Sequence, residues 1–307
     1  MIDFRYHIVS LTAVFLALAV GVVLGTSALR GPVLNDLNGR VNSLAAENRS
    51  LRSDLGSLRD QSAKQDDFAE QVAPALLSGR LAGQSVAVIS GPGGGTADRD
   101  AVATELTRAG ARVVSRVRLS PDFTAPGHSA EIKSLVSQLL PPGVQIPVTT
   151  DGAAQAGALL GAVLVGAKSV SVAARSAVLQ GFQSLGLLSV DGNPTRAAEL
   201  ALIVASPPAT GSQAKLRNAS LLGFVTQFDA QAKATVLATD TADGAGSLIT
   251  AIRADDALTK SLSTVDDLGL SAGRVAATLA LAAEAKGRSG QYGMGTGASS
   301  RVPPLTS

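Results

Sequence analysis

The chain has 307 residues, of which 46% are hydrophobic and only 3% aromatic, and its 26 Lys and Arg against 24 Asp and Glu leave a net charge of +2. The sequence contains no Cys, which excludes disulfides, thiol catalysis and Cys-ligated zinc. The small net charge does not indicate an extended phosphate-binding surface, so we expect no nucleic-acid partner, and the two His and two Met predict no metal site or cofactor.

The first 30 residues are expected to form a membrane anchor. The run from Ile8 to Gly25 carries no charge and is close to the length of about 20 residues that a helix needs to cross a bilayer. A short leader containing Arg5 is most easily left in the cytoplasm. We therefore expect residues 8–25 to cross the plasma membrane once, with the bulk of the chain outside. A cleaved signal peptide, a buried core helix and an outer-envelope location are the alternatives.

Residues 31–72 are predicted to form a coiled coil. Gly31-Pro32 should interrupt the preceding helix, because Pro32 suits the first turn of a new one. Hydrophobic residues then recur at alternating spacings of three and four, which is a heptad pattern. The a positions are Leu34, Val41, Asn48 and Leu55, and the d positions are Leu37, Leu44, Leu51 and Leu58.

These heptads favour a parallel homodimer. Leucine at every d position with a single Asn at an a position is typical of parallel, in-register dimers. In that arrangement Glu47 would face Arg52 of the second copy, and Asp54 would face Arg59, so both charge pairs are opposite in sign. The alternative is an amphipathic helix packed on its own domain, which normally has a broader apolar stripe.

Residues 80–286 are predicted to form an α/β domain. Short apolar runs predict strands at 85–89, 112–117, 144–147, 200–205, 234–238 and 262–265. Amphipathic segments predict helices around 101–106 and at 131–140, 153–165, 173–185, 213–227, 247–253 and 271–285. This alternation indicates a mostly parallel sheet covered on both faces. Residues 287–307, rich in Gly and Pro, are expected to be a flexible tail.

A glycine-rich loop connects the first predicted strand to the first helix of this domain. Such a loop can hold a phosphate on its backbone N–H groups, and its glycines are Gly91, Gly93, Gly94 and Gly95. It is not a P-loop, because no Lys-Ser/Thr follows, and Thr96 stands where the dinucleotide fingerprint requires glycine. Asp98 would oppose an anion. A tight structural turn is the favoured interpretation, with an anion or ligand site as the alternative.

No enzyme is recognisable from the residues. Ser212 and Lys215 fit the S-x-x-K spacing, but the other motifs of that enzyme class are missing. The acidic pairs at 255–256 and 266–267 are interpreted as helix caps or solvated turns. We therefore predict no catalytic residues.

Three stretches give the chain a family resemblance. They are the opening RYHIVSLTAVFLALAVGVVLG, the strand and loop VAVISGPGGG, and the ending VDDLGLSAGRVAATLALAAEAKGRSGQYG. Together with the heptads they resemble the actinobacterial MctB-like family, which carries the name "copper transport outer membrane protein". The resemblance implies a cell-envelope location and a role in copper efflux or homeostasis. Corynebacterial relatives are described instead as partners in an envelope complex that governs peptidoglycan hydrolysis and cell separation.

Two functions are therefore expected from the sequence. Cu(I) prefers Cys and Met sulfur and Cu(II) prefers imidazole, and beyond the predicted anchor the chain offers only His128 and Met294. The favoured function is thus a homodimeric scaffold or regulator of cell-wall remodelling and cell separation, acting by contact with another envelope protein. The alternative is a component of copper efflux or homeostasis, as a channel or channel accessory.

Overall fold

The structure, a computed structural model, describes residues 3–94, 96–166, 170–192, 196–241 and 244–305, without the side chains of 3, 26–36 and 38. The chain divides into two compact units, Met1–Lys64 and Gln65–Ser307.

Helix α1 extends over Asp3–Leu77. Its segment Phe4–Gly25 is apolar and long enough to cross a membrane, and none of it is buried in the protein. A signal sequence near the N-terminus has the same length and composition. The predicted interruption at Gly31-Pro32 is wrong, because the backbone stays helical there. Proline costs a backbone hydrogen bond, but helix propagation is cooperative and helix-forming sequence continues on both sides.

A seven-stranded sheet forms the centre of the second unit. The strands are β1 (Ser85–Ser90), β2 (Arg112–Leu119), β3 (Leu188–Asp191), β4 (Leu200–Val204), β5 (Thr235–Ala238), β6 (Ser263–Val265) and β7 (Gln291–Tyr292). Their order is β3-β2-β1-β4-β5-β6-β7. Only β3 runs antiparallel to its neighbour, so the prediction of a mostly parallel α/β fold is confirmed.

Helices cover both faces of this sheet. They are α2 (Thr96–Arg108), α3 (Ser129–Leu139), α4 (Gly152–Leu164), α5 (Val172–Ser184), α6 (Ala214–Asp229), α7 (Leu248–Arg253), α8 (Leu258–Ser261) and α9 (Ser271–Glu284). A hydrophobic core lies on each face of the sheet. Strand β1 contributes side chains to both, because alternate side chains of a strand point to opposite faces. Ala87 and Ile89 pack in the core with α3–α6, whereas Val86 and Val88 pack with α2, α9 and the end of α1.

The predictions made from the sequence were wrong for the shortest strands. The strand predicted at 144–147 is irregular, although Val144 and Ile146 do pack against the core. Pro147 ends that run and has no N–H with which to join a sheet. Strands β3 and β7 were missed, because β3 is short and half polar and β7 is two residues long, within the segment predicted as a tail.

The position of α6 is fixed by close packing against α4. Gly157 and Gly161 of α4 lie against the backbone of Phe224 and Phe228, where a Cβ would collide with carbonyl oxygens. Phe123, which follows β2, also packs edge-on against Phe224 with ring centroids 5.2 Å apart. Helix α6 and the β2–α3 connection are therefore held together at one end of the sheet.

Candidate functional site

The sheet has a topological switch point between β1 and β4. From β1 the chain passes to β2 and β3 on one side, and then returns to β4 and continues to β7 on the other. In open α/β sheets, ligands bind in the crevice outside the carboxyl ends of the strands at such a point. The residues that follow β1 and β4 are therefore the first place to look for a site.

The glycine loop predicted from the sequence lies in this crevice. The Gly91 N–H donates to the Val204 carbonyl of β4 (2.8 Å), and the Gly94 N–H donates to the Gly91 carbonyl (3.1 Å). Gly93 has a φ of +78°, which favours glycine. The structure thus brings Gly91, Gly93 and Gly94 into one tight turn, while Gly95 lies outside the described residues.

The loop closes over the side chain of Ser206. Cβ atoms placed on Gly91 and Gly94 would lie 3.0 and 3.1 Å from the Ser206 Oγ, so the absence of side chains makes room for this hydroxyl. Ser206 is 8% exposed, and its Oγ has no hydrogen-bond partner among the described residues. Leaving a buried polar group unpaired costs about 1–3 kcal/mol, so this hydroxyl needs an explanation.

A second unpaired donor comes from α6. Arg217 donates through Nη2 to the Pro121 carbonyl (2.7 Å), but its buried Nε has no partner among the described residues. Arg217 and Ser206 line the same cavity of about 200 Å³, together with Gly93 and Pro121. Two residues that each carry an unpaired hydrogen-bonding group therefore line one small cavity at the switch point.

A larger apolar cavity adjoins this one. It measures about 400 Å³, and the two cavities share Ala209 and Asn218 as walls. The Asn218 Oδ1 accepts from the Ala209 N–H (2.8 Å), which braces the partition between them. The larger cavity is lined mainly by Ala and Leu side chains, and Leu222 and Leu248 are the largest apolar ones.

A separate polar cluster lies beyond the carboxyl end of β6. Arg253 and Asp266 form an ion pair at 2.9 Å with side chains 2% and 1% exposed. Arg253 also donates to the Tyr292 carbonyl (2.6 Å) and the Thr296 carbonyl (3.0 Å). Asp266 accepts from the backbone N–H groups of Met294 and Gly295. The pair therefore fastens the segment around β7 to the sheet, and the interpretation of Asp266 as a cap or solvated turn is wrong.

The charge state of this cluster follows from its surroundings. Burial opposes ionisation of Asp266, but hydrogen bonds from Asp267, the Met294 N–H and Arg253 outweigh it and hold the Asp266 pKa below its ordinary value. Burial, the hydrogen bond to Asp266 and the charge of Asp266 raise the pKa of Asp267 to about 6. Asp267 also has a φ of +62°, rare for a residue other than glycine.

Comparison with known proteins identifies the family. Residues 1–303 match the family described as "Copper transport outer membrane protein, MctB". The chain belongs to this family. Relatives named Copper transporter MctB from Mycobacterium tuberculosis and Mycobacterium bovis are 31% identical over 309 residues, which cover 98% of this chain and 98% of each relative. The Mycobacterium leprae protein of the same name is 31% identical over 320 residues, covering 99% of this chain and all of the relative.

The residues that carry the MctB resemblance near the end of the chain are structural. Gly273 and Gly293 stand where a Cβ would overlap the Asp267 carbonyl and the Asp266 carboxylate, respectively. Arg274 donates to the Gly269 carbonyl (2.8 Å) and to the Ser271 hydroxyl (2.6 Å), which braces the start of α9. The VDDLGLSAGRVA and GQYG stretches therefore build the junction of β6, α9 and β7.

The predicted dimerisation residues are exposed side chains on α1 of the first unit. The apolar ones are 53–65% exposed and comprise Leu37, Val41, Leu44, Leu51, Leu55 and Leu58. The polar ones are exposed as well and comprise Glu47, Asn48, Arg52, Asp54 and Arg59. The side chain of Leu34 lies outside the described residues. An exposed row of leucines leaves much apolar area in water, so a partner would stabilise it.

His128 and Met294 have different surroundings in the second unit. The His128 Nδ1 lies 2.9 Å from the Glu131 carboxylate on an exposed turn. Met294 is 59% exposed and lies in the segment after β7. Within the part of the chain that the structure describes, no three His, Asp or Glu side chains are grouped so that they could hold a metal ion.

Proposed function

We propose that this protein is a membrane-anchored envelope component of copper efflux or copper homeostasis. The observation that carries the proposal is the family match over residues 1–303, together with mycobacterial relatives that are named copper transporters and align over nearly their whole length. A match of that extent includes the anchor segment and the α/β unit alike.

The role in copper handling is indirect and non-enzymatic. Tight copper sites bring together several Cys, Met or His side chains, and this sequence has no Cys, two His and two Met. His128 is engaged by Glu131 instead of by a second imidazole or thioether. The α/β unit therefore acts as an accessory to copper movement, through contact with another envelope protein.

The apolar segment at the start of α1 allows a prediction about membrane topology. We expect the apolar segment Phe4–Gly25 to remain in the mature protein and to hold it in the plasma membrane, with the second unit outside. N-terminal sequencing of the protein extracted from membranes should give a start at or near Met1. A start close to residue 29 would mean that the segment is a cleaved signal peptide. Full extraction by alkaline carbonate without detergent would also contradict an integral anchor.

A second candidate function is a scaffold in cell-wall remodelling and cell separation. The observation behind it is the exposed row of leucines on α1, which a parallel homodimer would bury. Such a dimer would present two copies of the α/β unit to one partner. Dimerisation is compatible with the copper role as well, so it does not by itself separate the two functions.

A deletion strain separates them. On the copper proposal, removing the gene should lower the copper concentration that stops growth, while cell separation stays normal. Zinc serves as the matched control, and its inhibitory concentration should not change. Chains of unseparated cells with unchanged copper tolerance would instead support the scaffold function and contradict the copper role.

A further inference from the structure

The crevice at the switch point contains hydrogen-bonding groups that the protein itself does not use. Ser206 is more than nine-tenths buried, and its Oγ has no partner among the described residues. The Arg217 Nε is likewise buried without a partner among the described residues, and Arg217 lines the same cavity as Ser206. Both side chains can donate hydrogen bonds to the oxygens of a ligand.

The backbone around Ser206 favours a negatively charged ligand. Helix α2 has thirteen residues and begins at Thr96, directly after the glycine loop. The first N–H groups of a helix have no partner within the helix and carry its positive dipole end, so they attract anions. Gly93 lines the cavity, and the chain reaches the start of α2 three residues later.

Charges around the crevice agree with an anion. Lys215 lines the larger cavity and Arg217 the smaller one, and the described lining residues of the two cavities include no carboxylate. The opposing charge is Asp98 in the first turn of α2. An anion must overcome Asp98, so this residue should limit the affinity without abolishing binding.

The adjoining cavity indicates what the anion carries. Its volume of about 400 Å³ falls within the range of about 300–1,000 Å³ that is usual for small-molecule sites. Its walls are formed mainly by Ala and by Leu222 and Leu248, which suit an apolar group and offer few partners to a sugar or a base. The shared walls at Ala209 and Asn218 place the apolar space next to the unpaired donors.

We propose that this crevice binds a phosphate monoester of an apolar alcohol. The phosphate accepts hydrogen bonds from Ser206 and Arg217 beside the start of α2, and the apolar part occupies the larger cavity. A phosphate fits better than a carboxylate, because it has more oxygens with which to accept hydrogen bonds from the hydroxyl and the guanidinium. This site is independent of the copper role and would make the α/β unit a receptor for the ligand.

Calorimetric titration of the full chain in an uncharged detergent tests the proposal. n-Butyl phosphate should bind at least tenfold more tightly than inorganic phosphate, and 1-butanol should give no measurable heat of binding. Ser206→Ala and Arg217→Gln should each weaken n-butyl phosphate at least tenfold, and Asp98→Asn should strengthen it. Ser206→Ala removes a hydroxyl that makes no hydrogen bond among the described residues, so the variant should fold normally. Its far-ultraviolet circular dichroism spectrum should match that of the parent chain.

The matched control is Arg112→Gln. Arg112 lines a separate cavity at the amino end of β2, with Arg175 and Arg196, and its replacement should leave binding unchanged. Loss of binding with Arg112→Gln, equal affinities for n-butyl phosphate and inorganic phosphate, or no binding at all would each overturn the proposal. Displacement of n-butyl phosphate by dihexanoyl phosphatidic acid would assign a lipid source, and displacement by phenyl phosphate alone a soluble ester. Because no copper is present, failure here leaves the copper role untouched.

Discussion

Replacing Asp266 with Asn should destabilise the α/β unit by about 3–5 kcal/mol. The side chain is 1% exposed, and its loss of charge would leave the buried Arg253 guanidinium without its counter-ion. Asn also cannot accept hydrogen bonds from the Met294 and Gly295 N–H groups with two equivalent oxygens. Urea unfolding of the full chain in detergent, followed by circular dichroism, measures the change.

Asp256→Asn is the matched control for this prediction, because Asp256 is exposed in the same region of the chain. It should change the free energy of unfolding by less than about 0.5 kcal/mol. Limited proteolysis provides a second readout, since weakening the Arg253–Asp266 pair should release the segment around β7 and make it the first site of cleavage. An Asp266→Asn variant as stable as the parent would contradict the conclusion that this buried ion pair stabilises the α/β unit.

Replacing Leu44 with Glu should convert the proposed homodimer into a monomer. Leu44 occupies a d position and is 65% exposed in the single chain, so a parallel dimer would bury it against its counterpart. Two carboxylates in that seam would lose apolar contact and repel each other, which should weaken dimerisation by about 3 kcal/mol or more, roughly a hundredfold. Sedimentation of the full chain in density-matched detergent measures the dissociation constant.

Arg49→Ala is the control on the outer face of the same helix. Arg49 is exposed, and its Nε bonds to the Ala45 carbonyl of its own helix (3.2 Å), so its removal should leave the dimer intact. A parent chain that sediments as a monomer at tens of micromolar would contradict the coiled-coil prediction directly. Equal weakening by Arg49→Ala and Leu44→Glu would indicate that the heptad seam is not the interface.

The elements with strong local signals were predictable from the sequence. Strands β1 and β4 are continuous apolar runs buried on both faces, and α9 is a long Ala- and Leu-rich helix, so their type and position follow from composition and period. Strand β7 has two residues, and its existence depends on pairing with Thr264 and Val265 of β6. Tertiary contacts of that kind leave no periodic trace in the sequence.

The candidate site was predictable only in part. The glycine loop could be recognised, because it connects a buried strand to a helix. Ser206 lies two residues after the end of β4. The carboxyl ends of neighbouring parallel strands lie at the same edge of a sheet, so the strand order, had it been known, would have placed Ser206 beside the loop. Arg217 lies on a helix whose position depends on the close approach of Gly157 to Phe224, so no local pattern marks it. The partnership of Arg253 with Asp266 is likewise a product of the fold.

The most direct test of the copper role is the copper content of cells. Cell-associated copper should be measured by mass spectrometry in the parent strain, in the deletion strain, and in the deletion strain that carries the full-length gene, all grown at one sub-inhibitory copper concentration. If the protein takes part in copper efflux, the deletion strain should accumulate several-fold more copper than the parent, and the full-length gene should restore the parental level. Equal copper contents in the three strains would contradict the account.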